Sequence, residues 1–289
     1  MTPLVTVANS LSYEVDVCIA PDDMHTGELL QGSPLIRTLM TYPPPMLRRA
    51  DTLTMPEYDL AIFTALSGRL RRYVRASTTY EFDRSWRIQG DIACVTEIAR
   101  SIGWKGDLPP AFAMKSMRRF ELPGDTIALH PGCKPNWPWK KWHGFDELSE
   151  LLPNVALIGT EADLDNSLTY FKRSFSWPDR VQNFVGKLDL RDTAALVSQC
   201  AAVVSVDSGM MHLGVALGVP TFGIFGITSP DRECIPSPYM MAITKQLPCE
   251  PQCRQLPWGR RDCHLHLSCL KALTAQEVAS YVTEFLDAT

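Results

Sequence analysis

Residues 203–220 read Val-Val-Ser-Val-Asp-Ser-Gly-Met-Met-His-Leu-Gly-Val-Ala-Leu-Gly-Val-Pro. The apolar run ending at Val206 is a fully buried strand, Asp207-Ser208-Gly209 a tight turn, and a helix of small residues follows. The first N–H groups of such a helix lack partners, and its N-terminus is the positive end of the helix dipole. Both favour an anion, such as a diphosphate, in the space beyond the strand. His212 falls in the first helical turn, close enough to add a donor. Gly214, Ala216 and Gly218 let the helix lie close to the sheet. A plainer reading stands beside this one: Asp207 or Ser208 as a helix cap, and His212 as a packed or surface histidine.

The surrounding chain repeats the pattern. Apolar, β-branched runs at 126–130, 155–159, 181–185, 221–225 and 240–244 alternate with amphipathic stretches such as 145–152 and 190–199. Continuous apolar strands separated by helix-length segments define a parallel sheet covered on both faces. The first half carries the theme more faintly, with strands at 15–20 and 58–63 and a helix at 91–102. Pro109-Pro110 and Leu122-Pro123-Gly124 are the linker candidates, and the boundary is expected near residue 123. The chain is thus α/β, two doubly wound domains in tandem, 1–123 and 124–289. Ligands of such sheets sit beyond the carboxyl ends of the strands.

Composition narrows the class further. The chain has 289 residues, 45% hydrophobic and 21% charged, which are globular values that exclude a disordered chain. No apolar run approaches a membrane span, and no basic-then-apolar leader opens the sequence. A formal net charge of −4 gives no footprint for nucleic acid. Nine cysteines is an odd number, and without an export signal they read as reduced thiols.

Two further strand ends carry polar groups. His130-Pro-Gly132-Cys leads into Trp137-Pro-Trp-Lys-Lys-Trp-His-Gly-Phe, which sets Lys140 and Lys141 at the start of the helix at 145–152. Dipole stabilisation does not favour cations there, so a lysine makes sense if it faces a phosphate. A solvated lysine pair between packing tryptophans is the alternative. Phe225-Gly-Ile-Thr-Ser-Pro sets Gly226 and Thr228 after another strand. Neither G-x-G-x-x-G nor G-x-x-x-x-G-K-[ST] occurs, which argues against a dinucleotide enzyme or a P-loop NTPase.

Taken in order, His130-Pro-Gly, Lys141-Trp142, Gly186-Lys-Leu-Asp-Leu-Arg-Asp, Val203-Val-Ser-Val-Asp-Ser-Gly-Met-Met-His-Leu and Phe225-Gly-Ile-Thr-Ser-Pro resemble glycosyltransferase family 9. These are the heptosyltransferase-like enzymes of bacterial surface-glycan assembly. The resemblance covers residues 126–289 and extends more loosely into the first half. It implies a GT-B fold of two Rossmann-like domains facing a cleft, acceptor at 1–123 and nucleotide-sugar donor at 124–289. The implied reaction is inverting transfer of a sugar, heptose from an ADP-heptose-like donor, to a glycan, glycolipid or protein acceptor. No catalytic metal is expected, and the setting is cytoplasmic, with peripheral attachment to the inner membrane. Carried over by position, His130, Gly132, Asp207, Ser208, Gly209 and His212 would hold the donor. Lys141 would neutralise the departing phosphate, Thr228 would line the pocket, and Glu161 would stand near the donor's ribose.

The resemblance also implies an opening strand that ends in glycine-aspartate. Met1-Thr-Pro-Leu-Val looks like the helix that follows it, so residues 4–8 are expected to be helical and the acceptor domain truncated. The missing aspartate would be the catalytic base. Asp22 and Asp23 are the remaining candidates, and a nucleotide-sugar-binding paralogue impaired in catalysis is the alternative function. The segment 246–270 holds Cys249, Cys253, Cys263 and Cys269, with His264 and His266 nearby. Four such thiols suit a structural tetrahedral zinc or a single iron, and some relatives with a similar tail bind iron. Small buried thiols or disulfides are the plainer reading. Thr274 with Glu277 three residues on predicts the cap of a final helix.

Overall fold

The computed structural model describes residues 2–19, 24–41, 56–63, 73–81, 91–109, 118–234, 236–245, 247, 263 and 266–288. The chain forms two compact units, Met1–Pro109 and Pro110–Thr289.

The second unit is built on a six-stranded sheet in which every pairing is parallel. Its strands are β5 (Thr126–His130), β6 (Asn154–Leu157), β7 (Gln182–Asn183), β8 (Ala202–Val206), β9 (Thr221–Phe225) and β10 (Met240–Thr244). They lie in the order β10-β9-β8-β5-β6-β7. From β5 the chain steps outward to β7, then returns to the other side of β5 and steps outward again. The reversal places a topological switch point between β5 and β8, the position at which open α/β sheets bind ligands.

Burial explains the strand composition. Every residue of β5, β8 and β9 is buried, so these strands are apolar on both faces rather than alternating. The crossover helices are α4 (Phe145–Leu151), α5 (Glu161–Leu164), α6 (Leu190–Val197), α7 (Gly209–Ala216) and α8 (Pro230–Glu233). Two more follow β10, α9 (Ser268–Ala272) and α10 (Ala275–Asp287). Thr274 caps α10 and Glu277 closes the capping box, as the sequence predicts. Val278 and Val282 of α10 join Phe145, Leu148 and Trp142 in the principal core, where the Trp142 indole donates to Leu273 O at 3.0 Å.

Gly214 sets how closely α7 approaches the sheet. A methyl group there would overlap the Thr221 hydroxyl and come within 3.1 Å of Val203. Gly218 does a different job from the one its spacing suggests. It ends the helix at φ +72°, with Val219 N bonding Gly214 O and Gly218 N bonding Val215 O, the Schellman arrangement that glycine permits.

The first unit contains α1 (Thr2–Ser10), β1 (Asp16–Ile19), α2 (Met24–Leu30), β2 (Thr38–Thr41), β3 (Glu57–Phe63), β4 (Arg75–Glu81) and α3 (Asp91–Ser101). Residues 4–8 are helical, as the family resemblance implies and strand propensity does not. β1 pairs with β2 and β3 with β4, both in parallel. Leu4 and Val7 of α1 pack against Val95, Ile98 and Ala99 of α3.

The division falls at the first proline pair, not near residue 123. Residues 118–125 belong with the second unit because they are tied to it. The Phe120 N–H donates to Gln199 Oε1 at 3.1 Å, the Phe120 ring meets Phe184 edge-on, and Arg118 pairs with Asp192.

An ion pair anchors the loop beneath α4. Asp146 is buried and takes a two-pronged contact from Arg173, at 2.6 and 2.9 Å, and the Ser176 N–H at 3.1 Å. Burial pushes its carboxyl up, but Arg173 and Ser176 outweigh that and hold it below the usual carboxylate range. The stabilisation is complete above the unfolded-chain pKa of about 4 and is lost as pH falls through the lower folded value. Thermal melts of wild type and Asp146→Asn should differ most above about pH 5 and converge as acid protonates the wild-type carboxyl. A constant difference down to about pH 2 would refute the role of its charge.

Candidate functional site

Polar side chains gather at the switch point, beyond the ends of β5 and β8. His130 closes β5 beside Ser205 of β8, its register partner, and Asp207 follows the last residue of β8. The structure brings together His130, Gly132, Asp207, Ser208 and Gly209 with Lys140, one of the lysine pair, and adds Asp163, which the sequence does not place there.

The neighbouring lysines take opposite roles. They do not start α4, whose first residue is Phe145 after Gly144. Lys140 ends a 3-10 turn (Pro138–Lys140), and Lys141 leaves it with extended backbone. That change of direction sends the two side chains apart. The Lys140 ammonium lies 2.6 Å from Asp207 Oδ2 and 5.1 Å from the centre of the Trp137 ring. Lys141 is only 3% exposed. Its ammonium donates to Asp163 O and Asp165 O, each at 2.6 Å, and to Asn166 Oδ1 at 3.4 Å. Burial pushes its pKa down. The expectation that Lys141 meets a departing phosphate is therefore corrected: Lys141 fastens the loop after α5, and Lys140 is the cation at Asp207.

Ser208 is the residue before α7, in extended conformation, yet its side chain makes no capping bond. Instead its hydroxyl lies 3.2 Å from His130 Nδ1 and 3.0 Å from the Ser205 hydroxyl. The N–H groups of the first turn of α7 are thus left to face the site with Gly209, which is exposed. His212 is exposed on that turn, and Thr228 is buried beyond β9. Glu161 is the exposed first residue of α5, with its side chain over Gly186.

On the other side of His130, Nε2 lies 3.6 Å from Asp163 Oδ2. That oxygen also accepts from Thr160 N at 2.7 Å and from Thr160 Oγ1 at 2.9 Å. Burial pushes the Asp163 carboxyl up, but His130 and Thr160 outweigh it and hold it below the usual range. Two glycines make the room. A methyl group on Gly132 would overlap the Asp163 side chain, and one on Gly159, at φ +130°, would come within 2.9 Å of its carboxylate. Gly132→Ala is expected to destabilise the second unit by about 1–3 kcal/mol through overpacking. Most of that loss should vanish in the Asp163→Ala background, a coupling that a double-mutant cycle on thermal melts measures.

Asp22, Asp23, Cys249 and Cys253 lie outside the described residues. Cys269 is buried, and the Cys263 sulfur accepts from Leu267 N at 3.4 Å. Among the described residues, no group of three or more His, Cys, Asp or Glu side chains is arranged to hold a metal ion. The first unit has a cavity of about 190 Å3 lined by α1, β1 and β3, with Leu4, Val17, Leu60 and Phe63 among its apolar walls. Asp16 and Tyr58 supply polar lining, joined at 3.1 Å, and Arg37 grips the same carboxylate at 2.7 and 2.9 Å.

A doubly wound parallel sheet with a cation and a helix N-terminus at its switch point defines the class as an open α/β protein, whose ligands sit at that position. Residues 105–257 match the model of glycosyltransferase family 9 (heptosyltransferase), and the chain belongs to that family. It is 31% identical over 139 residues to lipooligosaccharide heptosyltransferase 2 of Haemophilus influenzae. That alignment covers 42% of this chain and 38% of the relative, so the match spans well under half of the relative's length. An Escherichia coli ADP-heptose lipopolysaccharide heptosyltransferase II shares the fold, with a TM-score of 0.67 and 17% identity over 99% of this chain and 93% of that one. So does TibC, an iron-containing dodecameric glycosyltransferase from enterotoxigenic E. coli, with a TM-score of 0.60 and 14% identity over 99% and 71%. These likenesses bear out an α/β, GT-B-like fold. No helix among the described residues is long and apolar enough to cross a membrane.

Proposed function

We propose that the chain is an inverting, metal-independent glycosyltransferase that takes its sugar from a nucleoside-diphosphate donor held at the switch point of the second unit. One observation carries the reading: the Lys140 ammonium, fixed 2.6 Å from Asp207, stands at the mouth of α7. When a glycosyl–phosphate bond breaks, negative charge grows on the leaving diphosphate. A fixed cation and oriented helix N–H groups stabilise that charge without a metal. His212, on the same turn, adds a third donor. ADP-heptose is the donor class that family membership and the likeness to an ADP-heptose heptosyltransferase support. The acceptor is a glycan, glycolipid or protein of the bacterial surface.

The test is a thermal-shift panel of ADP, GDP, UDP and ADP-heptose, followed by donor turnover. Ligands that bind the native state raise its apparent stability by mass action, by about 2.7 kcal/mol at a hundredfold excess over Kd. ADP and ADP-heptose are expected to raise the melting temperature most. If none of the four does, the donor assignment is wrong. Stabilisation by ADP-heptose without turnover would make the chain a nucleotide-sugar-binding member of the family rather than an enzyme.

A further inference from the structure

We infer that Asp163 fixes the proton of His130 on Nε2, so that the Ser208 hydroxyl faces the ligand as a hydrogen-bond acceptor and reads a sugar hydroxyl rather than a phosphate oxygen. Each step follows from a contact. The Asp163 carboxylate is held in place by both Thr160 bonds, by Lys141 on its own carbonyl, and by the space left at Gly132 and Gly159. A carboxylate only accepts hydrogen bonds. A ring nitrogen facing it at 3.6 Å is favoured with its hydrogen on and opposed with a lone pair, because two acceptors repel. The neutral His130 ring therefore carries its hydrogen on Nε2 and a lone pair on Nδ1.

That lone pair meets two hydroxyls, Ser205 at 3.3 Å and Ser208 at 3.2 Å. Each hydroxyl has one proton to give. Ser205 gives its proton to Val206 O at 2.8 Å, so Ser208 is the donor in both of its inward contacts, to Nδ1 and to the Ser205 oxygen at 3.0 Å. Its proton then points inward, and only its lone pairs face the site. A diphosphate oxygen offers no hydrogen, so it is left to the α7 N–H groups and Lys140. A ligand O–H is what the Ser208 oxygen can take. Asp163 and His130 are thus positioning residues acting through Ser208, and the absent capping bond at Ser208 is the consequence.

The tautomer is independent of what the site binds; the consequence for ligands rests on the donor reading, and the test separates them. Nitrogen-15 NMR of the His130 ring is recorded on the ligand-free full chain at a pH where the ring is neutral, with His130→Gln providing the assignment. The expected result is a single Nε2–H form in wild type and a mixture of both forms in Asp163→Ala. Thr160→Ala removes one bond to the carboxylate but leaves it facing the ring, so the Nε2–H form should persist. In the binding arm, Ser208→Ala should weaken ADP-heptose relative to ADP by about three- to tenfold, the worth of one neutral hydrogen bond. An Nδ1–H form in wild type, a pure Nε2–H form in Asp163→Ala, or equal weakening of ADP and ADP-heptose would each overturn the relay. Failure of wild type to bind ADP sinks the donor reading instead and leaves the NMR result standing.

Discussion

Lys140→Ala should weaken ADP binding by about 10- to 150-fold, the equivalent of one charge-assisted contact of about 1.5–3 kcal/mol. Two effects add. The variant removes the cation that the proposed function sets against the leaving phosphate. It also leaves Asp207, whose side chain is only 6% exposed, with no partner for its charge at the helix that must receive an anion. The second effect is separable: in Lys140→Ala/Asp207→Asn the uncompensated carboxylate is gone, and part of the affinity should return. Isothermal titration of the four proteins with ADP closes the cycle. If the reading of the reaction is right, donor turnover falls further than binding does, because the charge on the leaving diphosphate is largest in the transition state. Wild-type affinity in Lys140→Ala would remove the lysine from the site.

The second unit was legible because its signals are local. A strand buried on both faces is an unbroken apolar run, and the turn that ends it needs small or polar residues at once. Val203–Gly209 shows both within seven residues. The first unit hides its strands. β4 reads Arg-Ala-Ser-Thr-Thr-Tyr-Glu and is mostly exposed, so it has no apolar run to find, and β2 is a half-exposed strand of four residues. At the site, His130 is legible because it ends β5, and Asp207 and Ser208 because they directly follow β8. Asp163 is not, since it joins His130 only through the fold, although Thr160-Glu-Ala-Asp163 carries a capping-box spacing that marks the start of α5. Gly132 belongs to a legible motif, but its reason, room for the Asp163 carboxylate, is visible only in three dimensions.

Choosing between Lys140 and Lys141 shows the same limit most sharply, and it sets up the second large effect. Nothing in a Lys-Lys pair says which side chain faces a phosphate; that is decided by how the 3-10 turn ends. Lys141→Met should destabilise the second unit by about 2–4 kcal/mol, because three acceptors lose a buried charged donor that methionine cannot replace. For a chain of this size that is a fall in melting temperature of roughly 5–15 °C. Methionine fills the space of the aliphatic stem, so the loss reports the ammonium rather than a cavity. Binding should respond in the reverse order. At a temperature where both variants are folded, Lys141→Met acts on the site only through Asp163, and its ADP affinity should fall by less than tenfold, against the larger loss in Lys140→Ala. Thermal melts and ADP titrations on the two variants therefore give crossed results, one mainly unstable and the other mainly unable to bind. If Lys141→Met melts like wild type and loses ADP as Lys140→Ala does, the two lysines have been assigned the wrong way round.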